Sequence, residues 1–202
     1  MLLDPADLDR KTLYKLAIGL VVPRPIAWVS TLSAGGVANL APYSYFNVAS
    51  SSPLMLLFCP NRQLDGSKKD TLVNIEQRPE FVIHIVAEDQ VEPMNLTSAA
   101  APPEIDEFAL ADLPQAPGAV VEVPRIESAA AAFECRLHQI VPLGDAEVVI
   151  GRVVAIHMRD EIYRAGYVLL DQLRPVGRMA GNTYLRCHDT FDLPRPRLPE
   201  QG

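Results

Sequence analysis

A mainly β fold with short helices, its strands rolled into a barrel, is what the pattern of this 202-residue chain predicts. Two observations predict it. Segments of strand length follow one another closely, separated by turn residues, and few long helical patterns interrupt them as a βαβ sheet would require. Two of these segments are also apolar on both faces, as strands buried inside a barrel or sandwich must be.

In chain order, Asp9 to Ile18 predicts a short amphipathic helix with Leu13, Leu16 and Ala17 on one face. Pro23-Arg24-Pro25 ends that pattern, and Ile26 to Thr31 reads as a strand. Ser33-Ala34-Gly35-Gly36 is a hairpin turn and Val37 to Leu40 the returning strand. Tyr43 to Val48 is a third strand, Leu54 to Cys59 a fourth, and Phe81 to Val86 a fifth. Phe133 to Val141, Val148 to Met158 and Val168 to Leu170 are β-like again. Between them, residues 88–125 hold Met94-Asn95-Leu96, a run of alanines and prolines, and a short helix at Glu104 to Leu110. The expected organisation is one domain over 1–202, with a core barrel at about 20–175, an insertion at 88–125 and a mobile tail at 193–202.

The composition, 49% apolar and 21% charged, is that of a globular protein. A net charge of −7 with scattered basic residues speaks against nucleic acid as a partner, since phosphate contacts need clustered Lys and Arg. No apolar run is long enough to span a membrane. The start lacks the order of a secretory signal, and the three cysteines have neither disulfide nor zinc spacing, so a cytoplasmic protein is expected.

Motifs for a dinucleotide fold, a P-loop, a zincin helix and a hydrolase elbow are all missing. That absence points to a cofactor doing the chemistry. The informative segment is Ser67-Lys68-Lys69-Asp70-Thr71. Ser67 with Asp70 resembles a capping box, which predicts a helix starting near Lys68. Two lysines in a first turn oppose the helix macrodipole, and an anion held there would remove the conflict. A solvated turn with two surface lysines is the plainer alternative. Ser50-Ser51-Ser52-Pro53, Ser30, Thr31 and Arg24 (held between two prolines) are further anion-capable groups, although the serine segment reads more simply as a polar turn and Ser30 and Thr31 also read as turn-formers.

Taken in order, Arg24 to Thr31, Asn39 to Phe46, Lys69 to Ile75, Glu80 to Ile83, Glu134 to Leu137, Gly151 to Val153 and Arg178 to Tyr184 resemble the flavin reductase-like family. The resemblance implies an FMN-binding split β-barrel working as a homodimer, with each flavin near the subunit interface. By motif, Ser30 and Thr31 would lie near the ribityl phosphate. Tyr45, Phe46, Asn47, Val48, Ala49, Ser50 and Ser51 would line the ring and phosphate, largely through backbone groups. Lys69, Asp70 and Thr71 would complete the phosphate grip, and Arg178 and Tyr184 would approach the flavin from the C-terminal segment. His84 stands where relatives often carry Asn, and Met179-Ala180-Gly181 where a Gly-Gly pair is common.

The implied activity is hydride transfer from NAD(P)H to FMN, with free flavin, an oxygenase or another electron-accepting protein as onward partner. An electron carrier that does not use NAD(P)H and a non-catalytic dimeric module are the alternatives. No side chain is assigned a catalytic role. His84, in an apolar strand, is expected to be structural. His138 and His157 should mark exposed strand faces, and adjacent Cys187 and His188 should point apart. Cys59, Cys135 and Trp28 are expected in the core.

Overall fold

The computed structural model describes residues 1–63 and 65–196. Its centre is one seven-stranded antiparallel sheet, built from β1 (Ala27–Leu32), β2 (Ala38–Tyr43), β3 (Phe46–Ser51), β4 (Leu54–Phe58), β5 (Glu80–Ile85), and two later strands. Short two-residue strands β6 (Gln115–Ala116) and β7 (Arg125–Ile126) pair with each other, and the long strands β8 (Ala131–Leu143) and β9 (Ala146–Met158) complete the sheet. The order is β2-β1-β5-β8-β9-β4-β3. The two end strands, β2 and β3, are separated in sequence only by Ser44 and Tyr45, so the sheet must curl until its edges meet at that corner. Register shifts in β8–β9 near Glu134 and Leu137 supply local bending.

The period of two in the strands divides the core. Ala27 and Val29 of β1 face inward with Phe58, Phe81, Ile83 and Val149, while Trp28 faces outward with Leu40, Met94, Phe108 and Ile126. Both faces are covered because helix α2 (Asp70–Gln77, after the N-terminal α1, Arg10–Leu20) packs Leu72 and Ile75 into the inner cluster. Outside, α3 (Val91–Leu96) and α4 (Glu107–Leu110) contribute Met94 and Phe108. Two carboxylates tie residues 88–125 to the sheet. Glu134 of β8 accepts the N–H groups of Ala119, Val120 and Val121 at 2.6, 2.7 and 2.9 Å, and Glu107 reaches β2. Gly151 of β9 sits where a Cβ would overlap the Phe81 ring and lie 3.1 Å from Cys135 Cβ.

A C-terminal hairpin, β12 (Val176–Arg178) and β13 (Tyr184–Arg186), follows the small ladder β10 (Tyr163–Arg164) and β11 (Tyr167–Val168) and helix α5 (Leu170–Leu173). Among the described residues no helix is long and apolar enough to cross a membrane.

Several expectations are corrected. The predicted strand Tyr43–Val48 is divided between β2 and β3, because the chain bends at Ser44-Tyr45 to pass from one sheet edge to the other. Val168–Leu170 is a strand end followed by α5. Met94-Asn95-Leu96 belongs to a helix that the short apolar pattern did not reveal. The capping box is absent: α2 begins at Asp70 with Lys69 as its cap and no side-chain cap bond, because Ser67 is engaged with Asp65 instead. Both lysines therefore precede the first turn. Most of the tail expected to be mobile, residues 197–202, lies outside the described residues.

Candidate functional site

A cleft of about 410 Å³ opens where α1, the Ser44-Tyr45 corner, the loop after β4, α3 and the β12–β13 hairpin converge. That volume is within the range of about 300–1,000 Å³ common for small-molecule sites. Among the described residues its wall holds four cations, Arg24, Arg62, Lys69 and Arg178, and no Asp or Glu. In a chain of net charge −7 this is a local inversion of sign, which favours an anionic ligand. The rest of the wall joins apolar and aromatic residues, among them Tyr14, Ile18, Ile26, Pro42, Tyr45, Met94, Met179 and Tyr184, to the polar side chains of Ser44, Asn61, Asn95 and Ser98. The site therefore suits a ligand with a flat apolar part and an anionic part.

The four cations differ in how they are held. Arg24 is buried and donates to the carbonyls of Ile18 (2.8 Å), Val21 (2.7 Å) and Met179 (2.9 Å). It was expected to aim at an anion, yet its fork is spent on carbonyl oxygens, so it acts first as a clamp. Arg62 is paired with the buried carboxylate of Glu147. Arg178 lies 4.5 Å from the centroid of the Tyr184 ring and donates to the Gly181 carbonyl. Lys69 makes no ion pair or hydrogen bond through its ammonium among the described residues. It caps a helix whose first N–H groups, those of Asp70 and Thr71, are the ones a helix leaves unbonded.

A smaller chamber of about 110 Å³ adjoins the cleft and shares Pro42, Tyr43, Lys69 and Ser98 with it. Asp70, Thr71, Asn39 and Glu107 line it. Burial pushes the Tyr43 phenol upward, so it stays protonated. Burial likewise raises the Tyr45 phenol and the Cys59 thiol.

Of the residues singled out by sequence, the cleft and chamber bring together Arg24, Tyr45, Lys69, Asp70, Thr71, Arg178 and Tyr184. Ser30 and Thr31 are not brought to it. Both are fully buried, Ser30 donating to the Pro124 carbonyl at 2.6 Å and Thr31 to Asn39 at 3.3 Å. Their hydroxyls are committed because residues 88–125 and α2 cover that end of β1. Phe46 packs on the inner core, while Asn47, Val48, Ala49, Ser50 and Ser51 follow along the end strand β3 and line neither cavity.

His84 is sealed in the core. Its Nδ1 lies 2.9 Å from the Trp28 carbonyl and its Nε2 accepts the Ile126 N–H at 3.0 Å. That pattern fits only the neutral ring with the proton on Nδ1, and burial lowers its pKa to about 4. Trp28 and Cys135 are core residues, but Cys59 is half-buried on the cleft wall rather than in the core. His157 is not a free surface group either, because it bonds to Glu134. Sequence reasoning passed over Arg62 and Glu107. An acid in the first turn of a helix is so ordinary that Glu107 carried no signal.

The comparisons agree with this architecture. The flavin reductase like domain family matches residues 19–176. An uncharacterised protein of Halalkalibacterium halodurans is 40% identical over 99% of each chain. Nitrilotriacetate monooxygenase component B from Bacillus cereus superposes with a TM-score of 0.93 at 35% identity, covering 96% of this chain and 98% of its own. The 2-nitrobenzoate 2-nitroreductase of Pseudomonas fluorescens superposes at 0.90 with 33% identity over the whole of both chains. The sequence series, the curled seven-stranded sheet and these matches place the chain in the flavin reductase-like domain family, with its split-barrel fold.

Proposed function

We propose that this protein binds FMN in the cleft, accepts reducing equivalents there from NAD(P)H, and passes them to an oxygenase or another electron acceptor. The observation that carries this reading is the wall of the cleft, where Arg24, Arg62, Lys69 and Arg178 stand beside four tyrosines and, of these cations, Arg62 alone is paired with a carboxylate among the described residues. A phosphate-bearing aromatic ligand meets both halves of that chemistry. When bound, FMN supplies the hydride and electron chemistry that these side chains lack.

The chain's own part is binding and exclusion of water. Lys69 and the unbonded N–H groups at the start of α2 hold the phosphate. Tyr45, Met94 and Met179 present apolar surface to the ring, and Arg178, braced on Tyr184, closes the C-terminal side. Arg24 contributes by fixing the hairpin that carries Arg178. The homodimer belongs to the same proposal. Asn47, Val48, Ala49 and Ser51 are exposed on an end strand, and they become part of a ligand site once a second chain is placed against them. Three free cysteines and a cleft built for a soluble nucleotide fit a cytoplasmic setting.

The purified protein should be yellow, or should quench added FMN, and NADH or NADPH added anaerobically should bleach its visible band. A protein that binds no FMN defeats the proposal. A yellow protein that neither coenzyme bleaches replaces the reductase with a carrier reduced by another protein.

A further inference from the structure

Glu107 is a buried carboxylate, 5% exposed, with no cation bonded to it among the described residues. Its two oxygens accept the Asn39 amide nitrogen at 3.0 and 3.1 Å, and Oε2 also accepts the Leu40 N–H at 3.0 Å. β2 ends the sheet, so this outward N–H has no strand partner and needs another acceptor. A carboxylate can only accept, and this fixes the polarity of everything beyond it. With the Asn39 nitrogen turned to Glu107, its oxygen must face the opposite way. There it accepts the hydroxyls of Thr71 (2.7 Å) and Thr31 (3.3 Å), and Thr31 in turn accepts the Asn74 amide at 3.1 Å.

The chain of bonds ends at the start of α2. Thr71 and Asn74 both lie on its buried face, and Lys69 is its cap. Asn39, Thr71, Glu107 and Lys69 line one chamber, and Lys69 also lines the cleft. Burial pushes the Glu107 carboxyl upward, and the Asp70 charge adds to this against the bonds from Leu40 and Asn39. Keeping a carboxylate here is therefore costly, and what it provides is a set of one-way bonds that a neutral amide cannot reproduce.

We infer that Glu107 is a positioning residue for the cationic end of the cleft. Through Asn39 and Thr71 it sets the start of α2, and with it the pose in which Lys69 and the free N–H groups receive a phosphate. This rests on the FMN reading. The role lies in a segment 68 residues from Asn39 in sequence, so residues 88–125 take part in ligand discrimination as well as in covering the core.

The experiment is quenching of flavin fluorescence with FMN and with riboflavin, which differ by the phosphate alone. Wild type should prefer FMN, and Glu107→Gln should reduce that preference at least about fivefold. Adding Asn39→Asp to Glu107→Gln restores the bond polarity, because the new amide at position 107 donates to the new carboxylate at position 39 and still accepts from Leu40. That double variant should return the preference to within about twofold of wild type. An unchanged preference in Glu107→Gln, or a folded double variant that recovers nothing, overturns the inference. If Glu107→Gln does not fold, Thr71→Val takes its place. Loss of preference in that variant supports the inference, and a wild-type preference overturns it. Wild type that binds neither flavin removes the FMN reading itself, an outcome distinct from a failure of Glu107.

Discussion

The Nη2 of Arg24 donates to the Met179 carbonyl at 2.9 Å, while the backbones of Arg24 and Arg178 exchange bonds of 3.0 and 2.8 Å. The approach to β1 and the C-terminal hairpin are thus held as one wall of the cleft, although they are distant in sequence. Arg24→Lys keeps the charge but cannot serve three carbonyls spread around a planar fork. Amide exchange in Arg178–Tyr184 should speed up by about tenfold or more, with FMN binding weakened alongside it. Unchanged protection of the hairpin would show that the backbone bridge alone suffices.

Lys69→Ala tests the phosphate end. FMN should bind about tenfold more weakly, and riboflavin should change by less than about twofold, because only FMN bears the charge that Lys69 meets. Equal losses for both ligands would place Lys69 against the ring or remove it from the site.

His84 should stay neutral through the physiological range. Its folded pKa is lowered from 6.5 to about 4, so between these values the unfolded chain binds a proton that the folded one refuses. Stability from this residue is complete above pH 6.5 and falls as the pH drops toward 4, by on the order of 3 kcal/mol. Proton NMR of the ring should show no titration above pH 5, and the acid limb of the denaturation profile should flatten in His84→Gln. A ring that titrates near 6.5 in the folded protein contradicts the sealed site.

Gly151→Ala should destabilise the barrel by about 1–3 kcal/mol, since the added methyl meets the Phe81 ring on one side and Cys135 on the other. Urea denaturation reads this directly. A neutral result would mean that Phe81, fully buried among Phe58 and its neighbours, has room to shift.

Strands β1, β2, β4, β5, β8 and β9, the N-terminal helix that follows Asp9 and the hairpin at Ser33–Gly36 were legible in the sequence because each depends on neighbours a few residues apart. The same locality explains why Lys69, Asp70 and Thr71 stood out, and why His84 in an apolar run read as structural. Family resemblance then named the flavin. Neither source showed that Ser30 and Thr31 are shut away, for that follows from which face residues 88–125 and α2 cover. Nor did they show that Arg24 clamps a carbonyl 155 residues later, or that Glu107 speaks to α2 through Asn39. A barrel brings distant segments to one corner, and the hydrogen bonds formed there have no period or spacing to betray them. Local chemistry determined most of the long strands and marked the turn at Lys69 as a candidate anion site. The tertiary structure decided which of those groups line the cleft and which are spent holding its wall in place.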